Sequence, residues 1–207
     1  MRWLSTALRQ LILMILIVSS GHAEDTFTLA DISDQLVPTP VLRADFEQQR
    51  SLRLLNRPLV SEGQLLYVSG RGVLWEVTAP QPAAMVIAPG RMTEFIDGVG
   101  HPLSLGQSPV FQNLIQVFLA ALSGELENLA EVFEVTVEQK VPGWHVTLTP
   151  KAPNLADAIT TIELEGSRFV TSIRILEASG DSTLVIFSDL RAHPQILDDR
   201  EEAYFGE

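Results

Sequence analysis

The chain has 207 residues and no cysteine, with 14 basic against 26 acidic residues and a formal net charge of −12. The missing cysteine excludes a disulfide framework, a thiolate metal site, a cysteine nucleophile and a lipid-modified cysteine. The acidic balance argues against nucleic-acid binding and against simple adsorption to anionic lipid, both of which need a basic surface. The length suggests one domain with a core large enough to fold without staples. Mean hydropathy is nevertheless +0.19, high for so acidic a chain.

Residues 1–23 read as a secretory signal peptide. Arg2 and Arg9 give a positive start, Leu11 to Val18 is an unbroken apolar run, and Gly21-His22-Ala23 places small residues before a cut at Glu24. As a helix the run is about 12 Å long, too short for a bilayer core of about 30 Å. The expected mature chain is residues 24–207, more acidic still, and exported to a bacterial periplasm.

Asp25 to Leu36 is expected to form a helix, capped by Asp25 or Thr26 and ended by Val37-Pro38-Thr39-Pro40. Strands follow. Leu42 to Gln49 alternates Leu42, Ala44 and Phe46 against Arg43, Asp45 and Glu47. Gln64 to Ser69 is apolar on both faces. Gly70-Arg71-Gly72 turns the chain into Val73 to Thr78; Ala83 to Ala88 and Met92 to Asp97 come next. Ser108-Pro109 then starts a helix that Gly124 stops. Its polar interior positions are Gln112, Asn113 and Gln116, and no charge occurs from His101 to Ser123. At about 22 Å it is too short to span a membrane. A helix apolar nearly all round must be buried on most sides.

Glu125 to Glu131 reads as a second short helix. Strands resume at Val132 to Glu138. In the next one Trp144, Val146 and Leu148 oppose His145, Thr147 and Thr149. Pro150 to Asn154 reads as a loop, and Ile159 to Leu164, Phe169 to Leu176 and Thr183 to Leu190 close the series. Asp198 to Glu207 holds five acids and one arginine and reads as a frayed, solvated tail. The expected fold is mainly β: about ten strands in one curled antiparallel half-barrel, with inserted apolar helices.

Catalytic signatures are missing. His101, His145 and His193 have no metal-ligand spacing, no nucleophile elbow occurs, and Gly70-Arg71-Gly72 is no phosphate loop. Acid pairs such as Asp45/Glu47 and Glu163/Glu165 lie on strand faces, so a hydrolase is the weakest reading. Arg43, Arg50, Arg53 and Arg57 cluster in one stretch, as a docking patch or as solubilising charge.

The ordered series of segments resembles one family. Leu42-Arg43-Ala44-Asp45-Phe46-Glu47-Gln48-Gln49 is similar to the first strand of LolA-type outer-membrane lipoprotein carriers. Gly72-Val73-Leu74-Trp75-Glu76-Val77-Thr78-Ala79-Pro80, Val86-Ile87-Ala88-Pro89-Gly90-Arg91-Met92 and Trp144-His145-Val146-Thr147-Leu148-Thr149-Pro150-Lys151 resemble later landmarks. The helix after Ser108-Pro109 falls where the family has its lid. The resemblance implies a half-open barrel closed by a helical lid. It also implies a monomeric, non-enzymatic periplasmic carrier of acylated lipoprotein or lipid cargo, without cofactor or metal. Such a carrier meets an inner-membrane export transporter and an outer-membrane acceptor, and touches membranes only transiently. The Arg57 to Gly63 loop resembles a side branch serving other lipids.

The residues expected to line the lipid cavity are Phe46, Leu66, Trp75, Met85, Val86 and Phe95. Those expected on the lid are Phe111, Leu114, Ile115, Phe118, Leu119 and Leu122. Arg71 is the implied lid latch, although Arg71-Gly72 stands where the family has Arg-Pro. The other reading is a periplasmic regulatory or sensor protein on the same half-barrel.

Overall fold

The computed structural model describes residues 27–103, 109–193 and 196–206. The expected signal peptide and the Ser108 cap lie outside the described residues. Helix α1 spans Leu29–Gln35. It starts later than expected because Thr28 and Asp31 form a capping box: the Thr28 hydroxyl accepts from the Asp31 N–H, and the Asp31 carboxylate accepts from the Thr28 N–H at 2.7 Å.

Strands β1 (Val41–Ser51), β2 (Leu59–Val68), β3 (Gly72–Ala79), β4 (Ala83–Ala88), β5 (Arg91–Ile96) and β6 (Val99–Pro102) form a meander. Helix α2 (Pro109–Ser123) and a 3₁₀ segment (Leu126–Glu131) follow. A second meander contains β7 (Phe133–Lys140), β8 (Gly143–Pro150), a short helix α3 (Pro153–Ala156), β9 (Ile159–Gly166), β10 (Val170–Glu177) and β11 (Ser182–Arg191). Helix α4 (Asp199–Phe205) closes the described chain.

All eleven described strands form one antiparallel sheet in the order β6-β5-β4-β3-β2-β1-β11-β10-β9-β8-β7. The sheet does not close; β6 and β7 are its edges. One strand more than expected is present, β6. The segment expected as a loop before Gly63 is the start of β2, and the Pro150 to Asn154 loop runs into α3. Among the described residues, no helix is long and apolar enough to cross a membrane.

The sheet has two different faces, named here by their covers. The inner face carries α1, α2 and the 3₁₀ segment. Its core joins Leu42, Phe46, Leu65, Val73 and Trp75 of the first meander to Trp144, Val146, Leu148, Ile162 and Phe187 of the second. The outer face behind β1–β5 carries a smaller cluster of Val41, Leu66, Val68, Leu74, Val86 and Phe205, flanked by Phe95 and Tyr204.

The acidic tail is therefore not frayed. Asp198 caps α4 and forms a capping box with Glu201. Phe205 is buried, and Tyr204 meets Phe95 edge-on at 4.8 Å between ring centroids. The acids have partners: Arg43 grips Glu201 with two hydrogen bonds of 2.8 and 2.6 Å, Arg71 pairs with Glu202 at 2.8 Å, and Arg200 pairs with Glu76. Composition showed the charge but not the two aromatic anchors at its end.

The Arg43 guanidinium holds the Glu201 carboxyl below the usual carboxylate range, outweighing the opposing effect of partial burial. A carboxyl lowered in the folded state adds stability above its unfolded value and loses that stability as pH falls through the folded value. Amide-exchange protection of α4 should therefore fall selectively on acidification from about pH 6 to about pH 3. Protection lost evenly across α4 and the central strands would remove Glu201 as the cause.

Candidate functional site

The strongest candidate is the contact between α2 and the inner face. Its middle is aromatic. The Phe46 ring stacks on Trp75 with centroids 3.7 Å apart and planes 25° apart. Trp75 meets Phe118 of α2 edge-on at 5.5 Å and Phe187 of β11 at 6.5 Å. Phe118 and Phe187 lie 6.4 Å apart. Two central strands, one flanking strand and the helix thus meet through four rings, a geometry in which edges and faces attract beyond plain burial.

This stack depends on Gly63. It stands opposite Phe46 in the β1–β2 ladder. A Cβ there would lie 2.6 Å from the Phe46 ring and 1.9 Å from the Glu76 carbonyl oxygen. The ring crosses the glycine to reach Trp75.

The expected cavity residues split between the faces. Phe46 and Trp75 are inner-face core. Met85 stands opposite Trp75 in the β3–β4 ladder, so it shares that face. Leu66, Val86 and Phe95 are corrected: all three belong to the outer cluster under α4. Leu65-Leu66-Tyr67-Val68 is apolar at every position, so its sequence names no face, and a one-residue choice of register inverts the set.

On α2, Leu122 is buried in the inner core, Leu114, Phe118 and Leu119 pack on it partly buried, and Ile115 is buried outside that cluster. Phe111 is half-exposed. Val117, Ala120 and Ala121 are also buried there. They follow the same apolar run.

Arg71 does not reach α2. It pairs with Glu202 and lies over the Phe205 ring, 5.0 Å from its centroid. Gly70 and Gly72 on either side both have positive φ, and the turn aims the side chain at the outer face. The arginine is a clasp for α4. The cluster of Arg43, Arg50, Arg53 and Arg57 disperses: Arg43 holds Glu201, and Arg50 lies 3.8 Å from Glu177. The backbone N–H of Arg53 donates to Asp181, while Arg57 is exposed.

Elsewhere, Glu165 accepts from Lys140 and lies within hydrogen-bond distance of His145, both at 3.1 Å; these contacts, His145 first, hold its carboxyl below the usual range. Among the described residues, no group of three His, Asp or Glu is placed to hold a metal ion.

A cleft of about 660 Å³ opens where the C-terminal half of α2 crosses the rim of the sheet. Ile115 and Leu119 of α2 face Tyr67 and the turns at Ser69–Gly72 and Pro89–Gly90 across it. Sequence reasoning missed this site. Its signal was Gln112 and Gln116, four residues apart on one helix face.

Among curated proteins, none matches the chain. Solved structures do. A LolA superfamily protein from Nitrosomonas europaea aligns at 14% identity and TM-score 0.48, covering 83% of this chain and 94% of that one. A DUF1329 family protein from Desulfovibrio piger aligns at 13% identity and TM-score 0.48, covering 86% and 94%. The lipoprotein LppX from Mycobacterium tuberculosis aligns at 11% identity and TM-score 0.42, covering 82% and 93%. The family model for the outer membrane lipoprotein carrier protein LolA matches residues 38–200, from the proline ahead of β1 into α4, and the chain belongs to that family.

Proposed function

We propose that this protein is an exported, non-enzymatic carrier that shelters acyl chains of a lipoprotein or lipid between α2 and the inner face of the sheet. The observation that supports it most is the α2 contact itself: a helix without a charged residue, held on an apolar sheet face, in a chain of net charge −12. Phe46, Trp75 and Met85 form the wall on this reading. Leu114, Ile115, Phe118, Leu119 and Leu122 form the underside of the lid, with Phe111 at its margin.

Acyl burial is worth about 0.8 kcal/mol per CH₂, so a single chain would bind strongly to a preformed dry cavity. A carrier must also let go. Lifting α2 gives up its burial on the same face, which offsets cargo affinity and allows transfer. The cargo would pass from an inner-membrane transporter to an outer-membrane acceptor. Export follows from the signal peptide, cut after Ala23; the intact mass of protein recovered from the periplasm tests that cut.

Delipidated protein should bind a fluorescent fatty acid and release it to an acylated peptide. Protein that binds neither refutes the carrier reading. The lid has its own readout. In a W144F background Trp75 is the one tryptophan beyond the expected cut. Saturation with the probe should pull Phe118 from its edge and shift Trp75 emission. Emission unchanged at saturation would show that α2 does not lift.

A further inference from the structure

We propose that the rim cleft beside α2 receives the headgroup of the acyl ligand, and that it selects an uncharged headgroup rich in hydroxyl, ester or amide groups over one bearing phosphate. This inference rests on the carrier reading above.

The cleft has an apolar side and a polar side. Ile115 and Leu119 continue the underside of α2 into it, so a chain lying beneath the helix would emerge at this point. Around that exit stand Gln112, Gln116 and Ser123 of α2, Tyr67 near the end of β2, Ser69 just after that strand, and Glu125 beyond the helix. They are hydroxyl and amide groups, each able to donate and accept, with one carboxylate. At Gly70 and Gly90 an added Cβ would meet nothing within 4 Å, so the rim is open to a group larger than a chain end.

Among the described residues, no lysine, arginine or histidine lines the cleft. The two cations nearest in sequence both spring from outer-face positions. Arg71, between two lining glycines, is clasped to Glu202 and Phe205 on the outer face. Arg91 stands opposite Ala88 in the β4–β5 ladder, in step with Val86 and hence on the outer face. Helix α2 itself carries no charge. A phosphate here would find no counter-ion among the described lining residues and would face the Glu125 carboxylate in a half-enclosed space, where like charges repel more than in open water. Burial pushes the Tyr67 phenol up and the nearby Glu125 carboxylate pushes it the same way, against the opposing hydrogen bonds with Ser69 and Ser123.

Uncharged headgroups come from two sources: the diacylglyceryl cysteine of a lipoprotein, or a neutral glycolipid. The test uses delipidated full-length mature protein carrying the fluorescent fatty acid. Three competitors with matched chains are compared: a diacylglyceryl-cysteine peptide, galactosyl diacylglycerol and phosphatidylglycerol. At least one neutral competitor should displace the probe about tenfold more effectively than phosphatidylglycerol, and the better of the two identifies the source. Glu125→Lys should cut that gap by about fivefold, with Glu125→Gln between. Glu125 is exposed and makes no side-chain cap, so neither change threatens the fold. Phosphatidylglycerol competing equally, or a ranking that E125K leaves unchanged, overturns the inference. Probe that binds but yields to no competitor overturns it while leaving the carrier reading standing; protein that binds no probe overturns both.

Discussion

Replacing Gly63 with alanine should cost about 3 kcal/mol or more, lowering the melting temperature by about 10 °C in a chain of this size. Gly63 is not among the residues with positive φ, so backbone strain is not the cause. The cause is space. The added methyl would sit 1.9 Å from the Glu76 carbonyl oxygen and 2.6 Å from the Phe46 ring. Two things must give way. Phe46 must leave its stack on Trp75, and β2 must separate from β3 in the middle of the sheet. Phe46→Ala removes the first conflict but not the second, so it should fail to rescue Gly63→Ala. Gly70→Ala gives the scale for a purely conformational penalty: it meets no atom but holds φ at 74°, and should cost about 1–2 kcal/mol. Thermal unfolding followed by near-UV circular dichroism reads all three. A Gly63→Ala protein melting within about 2 °C of the parent would mean that the ring does not lie across the glycine.

The second large effect is at α4. Phe205→Ala should cost about 3 kcal/mol, the usual loss for a buried phenylalanine. Arg43→Ala should cost about 1–3 kcal/mol, because it leaves Glu201 without its two charge-assisted bonds. The double variant should cost clearly less than the two losses together. Both act by releasing one short helix, and a helix already released has little left to lose. Ending the chain before Asp198 should do more: it uncovers Val41, Leu66, Val68, Leu74 and Val86, a contiguous apolar surface of the kind that drives association. Urea unfolding of the single and double variants, with light scattering of the truncated chain, measures both parts. Strict additivity, or a truncated chain as soluble and stable as the parent, would show that α4 rests on the sheet without holding it.

Much of the architecture was legible from local pattern. The β4 limits agree at both ends, and α2 ends where expected. In β8 the alternation was clean: Trp144, Val146 and Leu148 are buried while His145, Thr147 and Thr149 lie on the other side. That strand has one cover, so polarity marks the face. In β2 and β3 both faces have covers, and polarity marks neither; Leu66 and Leu65 are equally buried against different partners. Half of the residues expected on the cavity wall lie on the outer face for that reason. The outer cover was missed because α4 looks like a tail in composition: its acids pair with arginines more than a hundred residues away in sequence. Arg71 was misassigned with it. Strand β6 has four residues, including glycine and proline, and no alternation to read. The aromatic positions were visible one by one, but their convergence depends on a glycine whose need for emptiness is a tertiary fact.

The strand order places β1, the first strand made, against β11, the last. Each meander can form by local hairpins, but the seam between them waits for the end of the chain. A chain entering a new compartment from its N-terminus would hold β1 with one open hydrogen-bonding edge until nearly everything has arrived. Long-range pairing of this kind slows folding and lengthens exposure to wrong partners. The same Phe46 and Trp75 that meet Phe118 and Phe187 in the finished molecule are the groups a holding chaperone would find first. This fold therefore carries a kinetic liability at its centre, and Ser182–Arg191 is the segment that ends it.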